Sequence, residues 1–244
     1  MQFCRAQSLD AALEYLAEWG ADGCLLAGGT DVMVRYNKSE IAPGAIIHIE
    51  GIEPLSLITT HGRTTIGALN THRGLAGDAA IAARHPAMAS AARLVGGWQT
   101  QAVGTLGGNI CNAPPAADTP PALVAFNAEV SIASDAAERQ MPLVDFIQGN
   151  RKTDLGKGEY LKSITLPVPA KNSGSAYHHF RVRGGMEIAM VAAALSIQLE
   201  ADNVTVKDAV IALGVVGPAP IKAEDAAKIL IGQKPNEELL QSVS

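Results

Sequence analysis

The sequence predicts an α+β protein with a larger N-terminal domain and a smaller C-terminal domain. Three observations support this fold class. Short strands and helices alternate over the first 50 residues, alanine-rich helices precede strand-like segments further along, and a proline- and glycine-containing segment precedes a run of strand-like stretches. Because such residues interrupt regular structure, 167–174 is read as a linker, and we place the domain boundary near residue 172. The predicted domains are 1–172, with a small lobe of about 1–53 and a larger lobe of about 54–172, and 173–244.

The small lobe is predicted from its β-loop-α-β order. Ser8 has the side chain to cap a helix whose leucines fall on one face, and Gly20 ends that helix. A short apolar strand at 23–27 leads through a glycine pair into a helix at 31–35, and 45–49 is a second apolar strand.

The rest of the chain mixes alanine-rich helices with strands. Thr119 has the side chain to cap one helix, because Pro120 and Pro121 would then occupy the first turn of that helix, where proline is tolerated. The remaining predicted elements are strands at 64–68, 129–133, 160–166, 176–182, 189–199 and 204–215, and helices at 71–78, 86–95, 223–231 and 237–244.

Composition excludes several function classes. A chain of 244 residues with 48% hydrophobic and 18% charged residues is globular, and its net charge of -5 argues against nucleic acid or an anionic membrane as a partner. The 3 cysteines form no cluster, so no metal or iron–sulfur site is expected in this chain. No signal peptide is evident, and the longest apolar run, 188–197, is too short to span a bilayer. We therefore expect a cytoplasmic protein.

Two glycine-rich segments are the candidate ligand site. They are 27–31 and 104–109, and each leads toward a helix start. Glycines let backbone N–H groups approach a ligand closely, and several such groups pointing inward bind an anion. Thr30, Thr105 and Asn109 add side-chain donors, and Asp118 has oxygens that accept from ribityl or ribose hydroxyls. Either segment alone is explained equally well by tight turns and close packing; together they favour one large anionic ligand.

The same segments resemble a known family. The stretch 25–32 is similar to the first FAD-binding motif of the flavoprotein subunits of molybdenum hydroxylases. The stretches 104–110 and 113–123 are similar to the second motif, and shorter matches extend to 183–191. That family includes the FAD subunits of xanthine, carbon monoxide and nicotinate dehydrogenases.

The resemblance implies a fold, a cofactor and partners. The fold is a two-lobed FAD-binding domain of the vanillyl-alcohol-oxidase/MurB (PCMH-like) type, followed by a C-terminal α/β domain. FAD would be non-covalent, with its pyrophosphate on both glycine segments. Electrons would come from a molybdenum cofactor on a large subunit through two [2Fe–2S] clusters on a small subunit, in a dimer of heterotrimers, and would leave to NAD+ or another acceptor. The residues expected to bind FAD are Leu25, Leu26, Ala27, Gly28, Gly29, Thr30, Asp31, Val32, Thr105, Leu106, Gly107, Gly108, Asn109, Asp118 and Leu161.

The sequence departs from the family pattern at several positions. Gln101-Ala102 stand where Arg-Asn is frequent, His179 where lysine is common, and Glu187 where aspartate is usual. The chain also stops at Ser244, where family members continue, which suggests a short form or a truncated chain. The aromatic residue that would stack on the flavin is not identified by the motifs, and the candidates are Trp98, Tyr177 and Phe180.

Two alternative functions stay open at this point. One is a self-contained flavin oxidoreductase of the same fold, which would need a substrate pocket within this chain. The other is a scaffold subunit that has lost FAD, which the departures at 101–102 and 187 allow and the intact glycine segments oppose.

Overall fold

A computed structural model describes residues 1–243. Its strands are β1 (Gln2–Arg5), β2 (Gly23–Leu26), β3 (Ala45–His48), β4 (Ile58–Thr59), β5 (Thr64–Gly67), β6 (Glu129–Ala133), β7 (Glu138–Pro142), β8 (Ile147–Gly149), β9 (Lys152–Thr153), β10 (Tyr160–Leu166), β11 (Ser173–Phe180), β12 (Val191–Leu199), β13 (Val206–Gly214) and β14 (Ile221–Lys222). Its helices are α1 (Leu9–Trp19), α2 (Val32–Asn37), α3 (His72–Gly77), α4 (Ala79–Arg84), α5 (Pro86–Leu94), α6 (Trp98–Val103), α7 (Leu106–Asn112), α8 (Thr119–Ala125), α9 (Leu143–Phe146), α10 (Glu224–Leu230) and α11 (Glu237–Val243).

The small lobe is a three-stranded parallel sheet of order β1-β3-β2. Helix α1 packs on this sheet, because its apolar face buries Ala12 and Leu16 against the strand residue Ile47. As predicted, the Ser8 side chain caps α1 by accepting from the Ala11 amide at 3.2 Å, and Gly20 follows its last residue. Strand β2 ends at the first glycine segment, so the sheet sets that segment at its edge.

The larger lobe is built on an antiparallel sheet of order β4-β5-β10-β6-β7. Helices α3 to α8 accompany it, and apolar residues of all of these helices except α6 share one core with the sheet. Fully buried members include Ile66, Leu106, Leu123, Ile132 and Phe146. The second glycine segment begins α7, which contacts the central strand β10.

The C-terminal part is an antiparallel sheet of order β11-β12-β13-β14 with α10 and α11. One face packs on α5 and α8, so Tyr177 and Ala192 belong to the core of the larger lobe. The other face is covered by α10, where Val206 packs with Leu230. Strand β11 begins directly after the boundary predicted at residue 172, and that division of the chain stays a prediction.

The mixed α+β fold predicted from the sequence is confirmed, and individual elements differ at their ends. Thr119 begins α8 but does not cap it: the N-cap is Asp118, because the Thr119 hydroxyl donates instead to Asn109. Glu138 and Arg139 are charged residues typical of a solvated turn, but they lie in β7, and carboxylates on a neighbouring loop hold Arg139. The last helix was expected to reach Ser244, which lies outside the described residues.

Candidate functional site

A cleft of about 270 Å³ lies between the small lobe and the larger lobe, with one glycine segment on each side. Most of the residues predicted to bind FAD line it: Leu25, Ala27, Gly28, Gly29, Thr30, Asp31, Val32, Thr105, Gly107, Gly108, Asn109 and Leu161. Leu26, Leu106 and Asp118 do not. Leu26 is buried at the end of β2, directly before the first segment, and Leu106 is buried within the second, so both leucines support the loops from the core.

The first glycine segment presents free backbone donors. Among the described residues, the amides of Gly28, Gly29 and Thr30 make no hydrogen bond. Gly29 has a φ of 70°, a left-handed conformation that glycine adopts without steric cost. Successive unengaged amides next to a residue of this conformation form an anion-binding nest. The prediction that this segment offers backbone N–H groups to an anion is therefore supported by its geometry.

The second glycine segment engages most of its amides within the larger lobe. The Gly107 amide donates to the Ala68 carbonyl at 2.8 Å, and the Gly108 amide donates to the Thr105 hydroxyl oxygen at 3.1 Å. This segment therefore reaches the cleft with side chains rather than with a backbone nest. We infer that the donors it offers are the Thr105 hydroxyl proton and the Asn109 side-chain amide.

Asn109 is held in one orientation. The Thr119 hydroxyl donates to Asn109 Oδ1 at 2.6 Å, and Thr119 is fully buried. With its oxygen occupied, Asn109 has its Nδ2 donors left for the cleft. The contact also links the second segment to the start of α8.

Close packing joins the two segments. A Cβ atom on Gly28 would overlap the carbonyl group of Val103 and would lie 3.0 Å from the Gly104 nitrogen. Only glycine lets the first segment lie directly against the backbone that enters the second. Gly28 therefore has the close-packing role that the sequence left open, and its contact with Val103 fixes the width of the cleft.

The charges in the cleft come from one arginine and one aspartate. Arg35 is the only Lys or Arg among the described residues that line it, and its Nε is buried without a hydrogen-bond partner. Burial raises the pKa of Asp31, while the charges of Arg151 and Arg35 act to lower it. The Arg35 Nε lies 3.8 Å from Glu40 Oε2, an ion pair without a hydrogen bond. The cleft thus combines many neutral donors with one loosely paired guanidinium, a set that suits an anionic ligand rich in acceptors.

Several cleft residues were missed from the sequence. They include His72, Cys111, Asn112, Leu155 and Tyr160. Two of them have unpartnered buried atoms, His72 Nδ1 and Asn112 Nδ2. Burial raises the pKa of the Cys111 thiol to about 12, so this cysteine is a protonated wall residue. Only His72 carries a sequence signal that could have pointed to it: it directly follows Thr71, which caps α3.

Asp118 lies outside the cleft wall in a buried polar cluster. Its Oδ1 accepts from the Tyr177 hydroxyl at 2.7 Å and from His179 Nδ1 at 2.8 Å. Burial first, and then the Asp118 charge, raises the pKa of Tyr177 well above its usual value. His179 is therefore a buried, hydrogen-bonded histidine, and His178 is exposed.

None of the three aromatic candidates for stacking lines the cleft. Tyr177 is committed to Asp118, and Phe180 is exposed. Trp98 is 69% exposed, and the Arg73 guanidinium lies 4.5 Å from its ring centroid. A further cavity of about 410 Å³ lies where α4 and α5 meet the C-terminal sheet, and no predicted site residue lines it.

Within residues 1–243, no three His, Cys, Asp or Glu side chains are grouped so as to hold a metal ion. In the same residues, no helix is both long and apolar enough to cross a membrane.

Known proteins are similar to this chain in sequence and in fold. Residues 1–169 match the FAD binding domain in molybdopterin dehydrogenase, and residues 175–244 match the CO dehydrogenase flavoprotein C-terminal domain. The glyceraldehyde dehydrogenase medium chain of Sulfolobus acidocaldarius is 30% identical over 243 residues, which cover 99% of this chain and 85% of that protein. The putative xanthine dehydrogenase FAD-binding subunit of Escherichia coli strain K12 is 32% identical over 244 residues, covering 98% and 82%.

The solved structures agree with the sequence comparison. Carbon monoxide dehydrogenase from Hydrogenophaga pseudoflava superposes with a TM-score of 0.93 at 28% identity, covering 100% of this chain and 84% of the matched one. The FAD-domain match spans both glycine segments and the cleft between them. The chain therefore belongs to the family of FAD-binding subunits of molybdopterin dehydrogenases, which are oxidoreductases.

Proposed function

We propose that this chain holds FAD in the cleft between its two glycine segments and acts as the electron-transferring flavoprotein subunit of a molybdenum hydroxylase. The single observation that carries the proposal is the row of free amides at Gly28, Gly29 and Thr30, facing a second segment with oriented side-chain donors. The pyrophosphate of FAD is an anion with several acceptor oxygens, which is the ligand chemistry that such donors select.

The residues of this chain would bind and orient the cofactor. The first segment and Arg35 would hold the pyrophosphate, and Thr105 and Asn109 would donate from the opposite side. The predicted FAD contacts by Leu161 and Asp118 belong to the same proposal, Leu161 from the cleft wall and Asp118 from its cluster beside the start of α8. FAD supplies the redox chemistry when bound, and the protein supplies binding and electrostatics.

The electron path extends the proposal to other chains. We propose that electrons come from a molybdenum cofactor on a large subunit, through [2Fe–2S] clusters on a small subunit, and leave the flavin to NAD+ or another acceptor. The assembly would be a cytoplasmic dimer of heterotrimers. Support comes from relatives described as medium chains or FAD-binding subunits of dehydrogenases. We also propose that 1–172 and 173–244 are the two domains.

FAD titration of the purified, folded chain tests the first part. Saturable quenching of flavin fluorescence with one FAD per chain is expected. A folded chain that takes up no FAD would favour the scaffold alternative and contradict the proposal. Co-purification from the native source tests the second part: partner chains containing molybdenum and iron are expected. Turnover of a small organic substrate by the isolated flavin-loaded chain would instead favour the self-contained oxidoreductase.

A further inference from the structure

His72 is a buried residue in the wall of the cleft. It begins α3, its side chain is almost wholly enclosed, and it lines the cleft beside both glycine segments. Its backbone amide donates to the Gly104 carbonyl at 3.0 Å. A Cβ atom built on Gly104 would lie 3.4 Å from His72 Cδ2 and 3.5 Å from Thr30 Oγ1. His72 Cδ2 and the Thr30 hydroxyl therefore approach the same point beside Gly104, and Thr30 is the last of the residues with free amides.

The tautomer of His72 follows from the surroundings of its two nitrogens. Nδ1 is enclosed without a hydrogen-bond partner, which leaves Nε2 on the side of the cleft. A buried unpaired N–H is rarer than a buried unpaired acceptor, so the ring proton belongs on Nε2. Burial lowers the pKa of His72 to about 4, and the ring is therefore uncharged at neutral pH. His72 offers the cleft one neutral N–H donor.

We infer that His72 Nε2–H donates a hydrogen bond to a phosphate oxygen of the ligand and so completes the site formed by the amides of Gly28, Gly29 and Thr30. This inference rests on the proposed binding of FAD. The position of the ring next to Thr30 selects the pyrophosphate rather than the flavin ring or the adenine as its acceptor.

Two amide variants distinguish this role from simple packing. The amide nitrogen of glutamine reaches roughly the place of Nε2, whereas that of asparagine reaches the place of Nδ1. We expect His72→Gln to retain affinity for FAD within a few-fold of the unmodified chain. His72→Asn and His72→Phe should each weaken FAD binding by roughly 10- to 100-fold, the loss that fits one hydrogen bond to a charged acceptor.

Ligands that contain only part of FAD test whether the acceptor of the His72 hydrogen bond is the pyrophosphate. ADP, measured as a competitor of FAD, carries the pyrophosphate, and riboflavin carries none. His72→Asn should weaken ADP binding as it weakens FAD binding and leave riboflavin binding unchanged. Equal behaviour of the Gln and Asn variants, or losses confined to thermal stability, would overturn the inference. A folded unmodified chain that binds no FAD would overturn the proposed function instead.

A spectroscopic measurement adds a readout that is independent of affinity. In the ligand-free chain, ¹⁵N NMR of the histidine side chains should find the His72 proton on Nε2. Addition of ADP should shift the Nε2 resonance and its attached proton while Nδ1 changes little. A proton on Nδ1, or an Nε2 resonance that ADP leaves in place, would contradict the inference.

Discussion

Replacement of Gly28 by alanine is the perturbation with the sharpest structural consequence. The new Cβ would overlap the carbonyl group of Val103, and both partners of this contact are backbone. No side-chain rotation relieves the overlap, so the two glycine segments must separate by roughly 1.5 Å to restore ordinary contact distances. The cleft between them widens by a similar amount.

The cost to binding follows from the donors on the two sides. A ligand that stays on the amides of the first segment loses the hydrogen bonds from Thr105 and Asn109. Hydrogen bonds to a charged acceptor contribute about 1.5–3 kcal/mol each, so the loss of two is worth at least about 3 kcal/mol. We therefore expect Gly28→Ala to weaken FAD binding more than about 100-fold. Overpacking adds a loss of about 1–3 kcal/mol in the free energy of unfolding.

The assay is a fluorescence titration of FAD at constant salt, accompanied by urea unfolding of each variant. Gly51→Ala is the matched control, because a Cβ at Gly51 meets nothing within 4 Å. The control should bind FAD and unfold as the unmodified chain does. Native-like FAD affinity of a folded Gly28→Ala protein would refute the argument that this contact sets the width of the cleft.

Three further predictions concern residues around the cleft. Thr119→Val should weaken FAD binding about 5- to 10-fold in the same titration, because Asn109 loses the donor that orients its amide; unchanged affinity would contradict this. Arg139→Ala should speed hydrogen exchange in the loop between β9 and β10, since its guanidinium holds both carboxylates of that loop, and unchanged exchange would show that the loop is held otherwise. Burial lowers the pKa values of His72 and His85 to about 4 from 6.5, with the Arg84 charge as the second cause at His85. The unfolded chain therefore binds more protons than the folded chain in this pH range. As the pH is lowered from 6.5 to 4, the free energy of unfolding should fall by at most about 1.4 kcal/mol per pH unit for each of the two histidines. Urea titrations across this pH range measure how steeply the free energy of unfolding depends on pH, and this dependence should be weaker in a His85→Phe variant.

The glycine segments could be predicted from sequence because their signal is local. Adjacent glycines, the polar residues beside them and the strand or helix on either side lie within a few positions of one another. The same holds for Ser8, whose cap depends only on Ala11, three residues away. Signals that depend on residues this close in sequence were enough to predict the two glycine segments that form the cleft walls and most elements of the fold.

Features that depend on distant parts of the chain could not be predicted. The partners of Asp118 are on a strand 59 and 61 residues later, and both take up Oδ1, one of the two carboxylate oxygens that were expected to be free for a ligand. The need for glycine at position 28 comes from Val103, on the other side of the cleft. The burial that keeps His72 neutral arises from packing among several helices and loops, and no short pattern marks it.

The most direct test of the central claim is NMR observation of the backbone amides while FAD is titrated into the purified chain. We predict saturation at one FAD per chain, with the largest shifts at Gly28, Gly29 and Thr30, whose amides are free. The shifts at Gly107 and Gly108, whose amides are engaged, should be smaller. A folded chain that binds no FAD, or one that binds FAD while the first three amides do not move, would contradict this claim.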